Sequence, residues 1–204
     1  KKINKNTKLP LKKLKNIADQ LFTRHTLGNF AVNYANETWM DSLPRSGARI
    51  EMQALRLFIY KFMLEVTRQN IYRILQEKLK NEVVGKFWSN DYLYDGSDDI
   101  IIRPNPFIAY YIYPELLSDS QWKKCFGTLL HSLWLAFGIS TIDRKSPLFC
   151  DKHTGENNKS YHNGDSWFWL NNLAALCLYR NDKKCFKKYI NKILKASTAE
   201  ILWQ

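Results

Sequence analysis

The sequence lacks any run approaching the ~20 apolar residues of a membrane span. The best stretch, Phe126 to Ile139, is too short and contains His131. Glycine and proline are scarce, 8 and 6 among 204 residues, which excludes collagen-like and low-complexity chains. The four cysteines, Cys125, Cys150, Cys177 and Cys185, show no CxxC spacing, so free thiols in a reducing, cytoplasmic setting are expected. Cys150 and His153 stand at a distance a metal could use, but no second ligand pair matches it, and neither metal nor cofactor is expected. No charged-then-apolar leader is read in the sequence. Alternation of period two is also missing, which argues against an extensive sheet.

What is present is apolar and basic. Hydrophobic residues make up 45% of the chain and aromatics 14%, too much apolar surface for disorder and enough for one sizeable core. Lys and Arg number 31 against 19 Asp and Glu, a net charge of +12. That excess raises the question of a polyanion partner. The bases gather in two lysine-rich groups: Lys1, Lys2, Lys5, Lys8, Lys12, Lys13 and Lys15, then Lys183, Lys184, Lys187, Lys188, Lys192 and Lys195. Base-edge readout favours the donor fork of arginine, and no nucleic-acid-binding signature accompanies these lysines. Solvated helix faces are the better reading, with neither nucleic acid nor membrane as partner.

Helical spacing is read at residues 11–24, 51–79 with a break near Gln69 and Asn70, 106–113, 118–137, 167–180 and 183–195. Three long polar loops, residues 33–48, 88–104 and 138–166, separate them. Loops of that length held by a helical scaffold are where binding and catalysis concentrate.

In the first loop Asp41 follows Trp39 and Met40, and apolar surroundings would prepare a carboxyl to donate a proton. A turn or capping role explains Asp41 equally simply. The third loop packs Tyr161, His162, Asn163, Asp165, Ser166, Trp167 and Trp169 into nine positions. Aromatic faces beside amides and carboxylates suit a sugar. Here too simpler roles exist, Asp165 or Ser166 as the cap of the following helix and His162 as a packing residue.

These segments carry a resemblance. Thr38-Trp39-Met40-Asp41, Pro44-Arg45-x-Gly47 with Glu51-x-Gln53-Ala54-Leu55, Arg103-Pro104-Asn105, Ile139-Ser140-Thr141 with Pro147-Leu148-Phe149, and Tyr161-His162-Asn163-Gly164 with Trp167 and Trp169 resemble the glucosidase domain of glycogen-debranching enzymes. They occur in that family's order and at about its spacing, from about Phe30 onward.

The resemblance implies an all-α (α/α)6 toroid whose loops form a pocket at one end. It implies release of glucose from α-1,6 branch stubs of glycogen-like α-glucans, with inversion. Asp41 matches the family's general acid and Glu200, in Thr198-Ala199-Glu200-Ile201, its general base. Trp39, Arg45, Glu51, Arg103, Asn105, His162, Asn163, Trp167 and Trp169 match pocket positions. Some of these, Glu51 and Arg103 especially, are expected to be ion-paired supports holding the loops. Asp165 replaces an uncharged family residue, which leaves both Glu200 and Asp165 as candidates for the base. Two upstream family segments have no counterpart, and only Ile201, Leu202, Trp203 and Gln204 follow Glu200. The 204 residues therefore read as a single partial domain, with a complementary polypeptide expected to complete the ring. Related toroids acting on trehalose or other α-glucosides, and a non-catalytic carbohydrate-binding subunit, are the alternatives.

Overall fold

The computed structural model describes residues 10–153 and 159–202. Lys1, Lys2, Lys5, Lys8, Trp203 and Gln204 lie outside the described residues. Among the described residues seven α-helices dominate, so the chain is all-α as its periodicity predicts: α1 (Leu11–Arg24), α2 (Ile50–Thr67), α3 (Ile71–Phe87), α4 (Asn105–Ile112), α5 (Asp119–Leu133), α6 (Phe168–Asp182) and α7 (Lys187–Leu202). A small antiparallel hairpin, β1 (Thr26–Leu27) and β2 (Phe30–Ala31), escapes the sequence reading because its two-residue strands show no alternation.

Local chemistry sets the boundaries. The helical stretch after residue 50 breaks where Arg68 adopts a left-handed conformation, φ 60°, and closes α2 through its N–H on the Leu64 carbonyl. α5 opens on a capping box in which Ser118 and Gln121 each bond the other's backbone N–H. Asp182 ends α6 by accepting from the N–H groups of Lys184 and Cys185 at 3.1 and 2.9 Å. That turn moves the start of the last helix from the expected Lys183 to Lys187, and the helix runs on through Glu200. Lys183, Lys184, Lys187, Lys188, Lys192 and Lys195 all face solvent.

α2 packs on α3 and α4, α4 on α6, and α6 on α7. The centre of the core is aromatic: Phe107 of α4 stacks on Phe126 of α5 at 4.7 Å, and Trp122 stacks on Phe126 at 5.6 Å. Cys125 and Cys177 are buried there, and burial pushes both thiols up to about 12, which leaves them inert as nucleophiles. No described helix is long and apolar enough to cross a membrane.

One consequence of this order positions the site. The three long loops lead into the first turns of α2, α4 and α6, helices that pack side by side. Side chains from all three loops therefore come together near the N-terminal ends of adjacent helices, where unpaired N–H groups and the helix dipoles favour carboxylates.

Candidate active site

The floor of the site is a buried ionic cluster. Arg45 and Arg49 pair with Glu51, Asp95 and Asp99, two cations against three anions. Arg45 donates from Nε and Nη2 to the two oxygens of Asp95, each at 2.9 Å, and from Nη1 to Glu51 Oε1 at 2.9 Å. Arg49 Nη1 donates to Asp99 at 2.9 Å and lies 3.4 Å from Asp95. The Asp95 side chain has no solvent exposure at all. Burial opposes the charge of Arg45, but Glu51 and Asp95 outweigh it and hold the guanidinium above its ordinary pKa. Burial raises the Glu51 carboxyl, against the pull of Arg45. Backbone bonds fix this floor in place. Ile50 N–H, the first of α2, donates to Asp95 O at 3.1 Å, and Ser97 N–H donates to Ala48 O at 3.0 Å.

Asn105 at the start of α4 links the floor to the walls. Its Nδ2 donates to Asp95 Oδ1 at 2.5 Å, and its Oδ1 accepts from Trp39 Nε1 at 2.7 Å. Prolines on both sides, Pro104 and Pro106, sit where a helix loses nothing by a missing N–H.

The wall is aromatic. Trp39 meets His162 edge-on at 5.1 Å and Trp169 edge-on at 5.0 Å, and His162 stacks on Trp167 at 5.7 Å. Tyr161 closes the group against Trp167 at 4.5 Å, and its carbonyl accepts from Trp167 Nε1 at 2.9 Å.

The third loop is held from beneath by Arg103. Its guanidinium donates to the carbonyls of Thr141 and His162 at 3.1 and 2.7 Å and to Asn163 Oδ1 at 3.1 Å. Burial holds this arginine below its ordinary pKa, against the pull of Asp95. Gly164 is required by close approach. A Cβ there would stand 1.9 Å from the Cys150 carbonyl oxygen, beside the Cys150 N–H bond to Asn163 O of 2.7 Å. Gly164→Ala is expected to push the two strands of the loop apart and cost about 1–3 kcal/mol, read as a lower midpoint in urea.

Asp41 stands at the mouth. Its carboxyl is 68% exposed, and Oδ1 lies 3.4 Å from His162 Nε2. The expected apolar setting against Trp39 is not what surrounds it, because the indole turns instead to His162, Trp169 and Asn105. His162 is buried, 2% exposed, and its Nδ1 has no partner. Burial lowers its pKa against the raising pull of Asp41, and Arg103 and Arg45 add to the lowering. An unpaired acceptor costs less here than an unpaired donor, which favours the tautomer that donates from Nε2 toward Asp41.

Because the folded chain resists protonating His162, the unfolded chain binds more protons below its ordinary pKa of about 6.5. Stability from this group is complete above about 6.5 and is lost as pH falls from there toward the lowered folded value. His162→Gln is expected to flatten the decline in urea stability between pH 7 and pH 5. An unchanged decline would assign it to other groups.

Asp165 and Glu200 stand apart from this group. Asp165 pairs with His153 Nδ1 at 2.9 Å, so it does not cap α6, whose first residues have no side-chain cap. Ser166 Oγ accepts from Asn171 Nδ2 at 2.9 Å instead. Glu200, exposed near the end of α7, lines a cavity of about 370 Å³ with Phe137, Gly138, Ser166, Phe168 and Asn171. Trp167 and Trp169 thus belong to the Asp41 group, while their neighbours Ser166 and Phe168 line the Glu200 cavity. Among the described residues no hydrogen bond or ion pair joins Glu200 to Asp41. No set of three described His, Cys, Asp or Glu side chains is arranged to hold a metal ion.

The sequence reading missed Asp95, Arg49 and Thr141, whose Oγ1 accepts from Gly164 N–H at 3.0 Å. A signal for Asp95 exists. Two arginines, Arg45 and Arg49, lead into α2 beside Glu51, while the second loop carries four aspartates, Asp91, Asp95, Asp98 and Asp99, without singling out one of them.

The family model described as amylo-alpha-1,6-glucosidase matches residues 20–203. Among solved structures, a chain named "Sialidase" is similar in fold, with a TM-score of 0.61 and 14% sequence identity over 84% of this chain and 18% of that one. The present chain thus spans less than one fifth of that structure's length. No curated protein matches it.

Proposed function

Because the chain belongs to the amylo-alpha-1,6-glucosidase family, we propose that the Asp41 group is the acid half of a glycosidase site that releases glucose from α-1,6 branch stubs. The observation that carries this reading is an exposed carboxyl within reach of a buried histidine, at the mouth of an aromatic wall set on an ion-paired floor. Trp39, Trp167, Trp169 and Asn163 offer rings and an amide to a sugar. Arg45, Glu51, Asn105 and Arg103 are buried with protein partners, and we assign them to support.

In the mechanism proposed, Asp41 delivers its proton to the glycosidic oxygen as the anomeric carbon takes on oxocarbenium character. Glu200, which lines the cavity at the start of α6, acts as general base and activates a water on the opposite face. Such a division of labour requires carboxyl groups ~6.5–9.5 Å apart, against about 5.5 Å for a retaining pair. Asp165, engaged by His153, is the weaker candidate for the base.

The fold around this site we read as part of an (α/α)6 toroid. Support comes from the paired helices and from apolar side chains left in solvent along the outer helices, including Phe58 of α2, Ile74 of α3 and Leu194, Ile201 and Leu202 of α7. Patches of that kind are what further helices, from the same or a complementary polypeptide, would cover. The four free cysteines agree with a cytoplasmic setting.

Incubation with a branched limit dextrin and, separately, with trehalose, assaying glucose, tests the substrate. The proposal expects release from the dextrin. Release from trehalose alone would move the assignment to the related α-glucosidases, and binding of oligosaccharide without turnover would leave a carbohydrate-binding subunit.

A further inference from the structure

We propose that Asp95, acting through Asn105, is the positioning residue of the site: it fixes the orientation of the Trp39 ring that orders His162 beside Asp41. The inference rests on the reading of Asp41 as the acid of this site. Asp95 touches neither Asp41 nor the mouth. Its side chain is fully buried, and its oxygens accept from Arg45 Nε and Nη2, Arg49 Nη1 and Asn105 Nδ2.

An asparagine amide is ambiguous by itself, since it can turn its donor or its acceptor toward a neighbour. A carboxylate can only accept. With Asp95 at 2.5 Å, the Asn105 amide must present Nδ2 to it, and Oδ1 is thereby turned to the other side, where it receives the Trp39 N–H at 2.7 Å. The indole so anchored cannot rotate, and its edge contacts at 5.1 Å to His162 and 5.0 Å to Trp169 follow from that one orientation. His162 Nε2 in turn lies 3.4 Å from Asp41. The charge balance of the floor thus has a second role besides stability: it selects the polarity of a hydrogen-bonded chain that ends at the acid. Arg45 contributes to the same end by donating to Thr38 Oγ1 at 2.9 Å, one residue before Trp39.

The test uses the full chain with ¹⁵N-labelled indoles, the Trp39 Nε1–H resonance being identified by its loss in Trp39→Phe. Asn105→Leu leaves the Asp95 ion pairs in place and cuts the link. It is expected to shift that resonance and to speed exchange of its proton with water by about tenfold, the scale of one lost hydrogen bond. Asp95→Asn should do the same.

An unchanged Trp39 resonance in Asn105→Leu would overturn the inference, whether or not Asp95→Asn folds. Glucose release is measured separately. Absence of activity in the wild-type chain bears on the glycosidase reading, while the indole resonance reports the positioning in either case.

Discussion

Asp41→Asn is expected to lower glucose release from a branched limit dextrin by about 10²–10⁴-fold, the usual contribution of a positioned proton donor. The substitution removes the transferable proton and little else. An asparagine keeps the shape of the side chain and keeps an oxygen toward His162 Nε2, which lies 3.4 Å away. The loss should therefore fall on kcat, with KM and oligosaccharide binding close to wild type, as for an interaction made only in the transition state. His162 makes a specific contribution to this expectation. Buried and held below its ordinary pKa against the pull of Asp41, it offers its Nε2–H to the asparagine oxygen as it does to the Asp41 carboxyl, so the variant keeps the contact that orders the side chain. Steady-state kinetics across a range of dextrin concentrations checks the division between kcat and KM. A variant that lost binding in proportion to rate would make Asp41 a structural residue of the loop.

Arg45→Leu carries the largest expected effect on stability. It strands Glu51 and Asp95, both buried, with Arg49 at 3.4 Å as the remaining cation near Asp95. Removing one partner of a buried ion pair costs about 3–5 kcal/mol, because the other charge stays out of water unpaired. In a chain of this size that corresponds to a fall in Tm of roughly 10 °C. The loss should shrink on acidification. Glu51 is already raised by burial, and without Arg45 it has less to hold it ionised, so protonation below neutral pH relieves the stranded charge. Urea melts of both proteins at pH 7 and pH 5 measure the difference. A cost below about 1 kcal/mol at pH 7 would show that the floor of the site does not depend on this arginine.

The helices were legible in the sequence because their cause is local. The stripes that define α1, α2 and α5 arise from side chains three and four positions apart, and the left-handed turn at Arg68 falls where polar residues interrupt the stripe, while α3 runs on to Phe87, past the expected 79, and α5 ends at Leu133, short of the expected 137. α7 was legible only in part, since the Asx turn at Asp182 delays its start and its last residues carry exposed apolar side chains that have no face to report. The site divides in the same way. Trp39, Asp41, His162, Trp167 and Trp169 were visible as an unusual mixture in loops, and the structure brings all five together. Asp95 was not, because nothing about one aspartate among four in the second loop says which will be buried. Its role comes from pairing across the helix row, a distance in the fold that spacing in the chain does not encode. The exposure of Asp41 is hidden for a related reason: Trp39 stands two positions away in the chain, while its indole is claimed by Asn105, His162 and Trp169.

In the proposed function Asp41 is the proton-donating carboxyl of an inverting cleavage of α-1,6-linked glucose. Proton NMR of the limit-dextrin reaction in its first minutes tests it most directly, since it reads bond cleavage and stereochemistry together. The account predicts that β-glucose appears first, mutarotates only later, and is not formed by Asp41→Asn. Appearance of α-glucose first, or undiminished release by the variant, would contradict it.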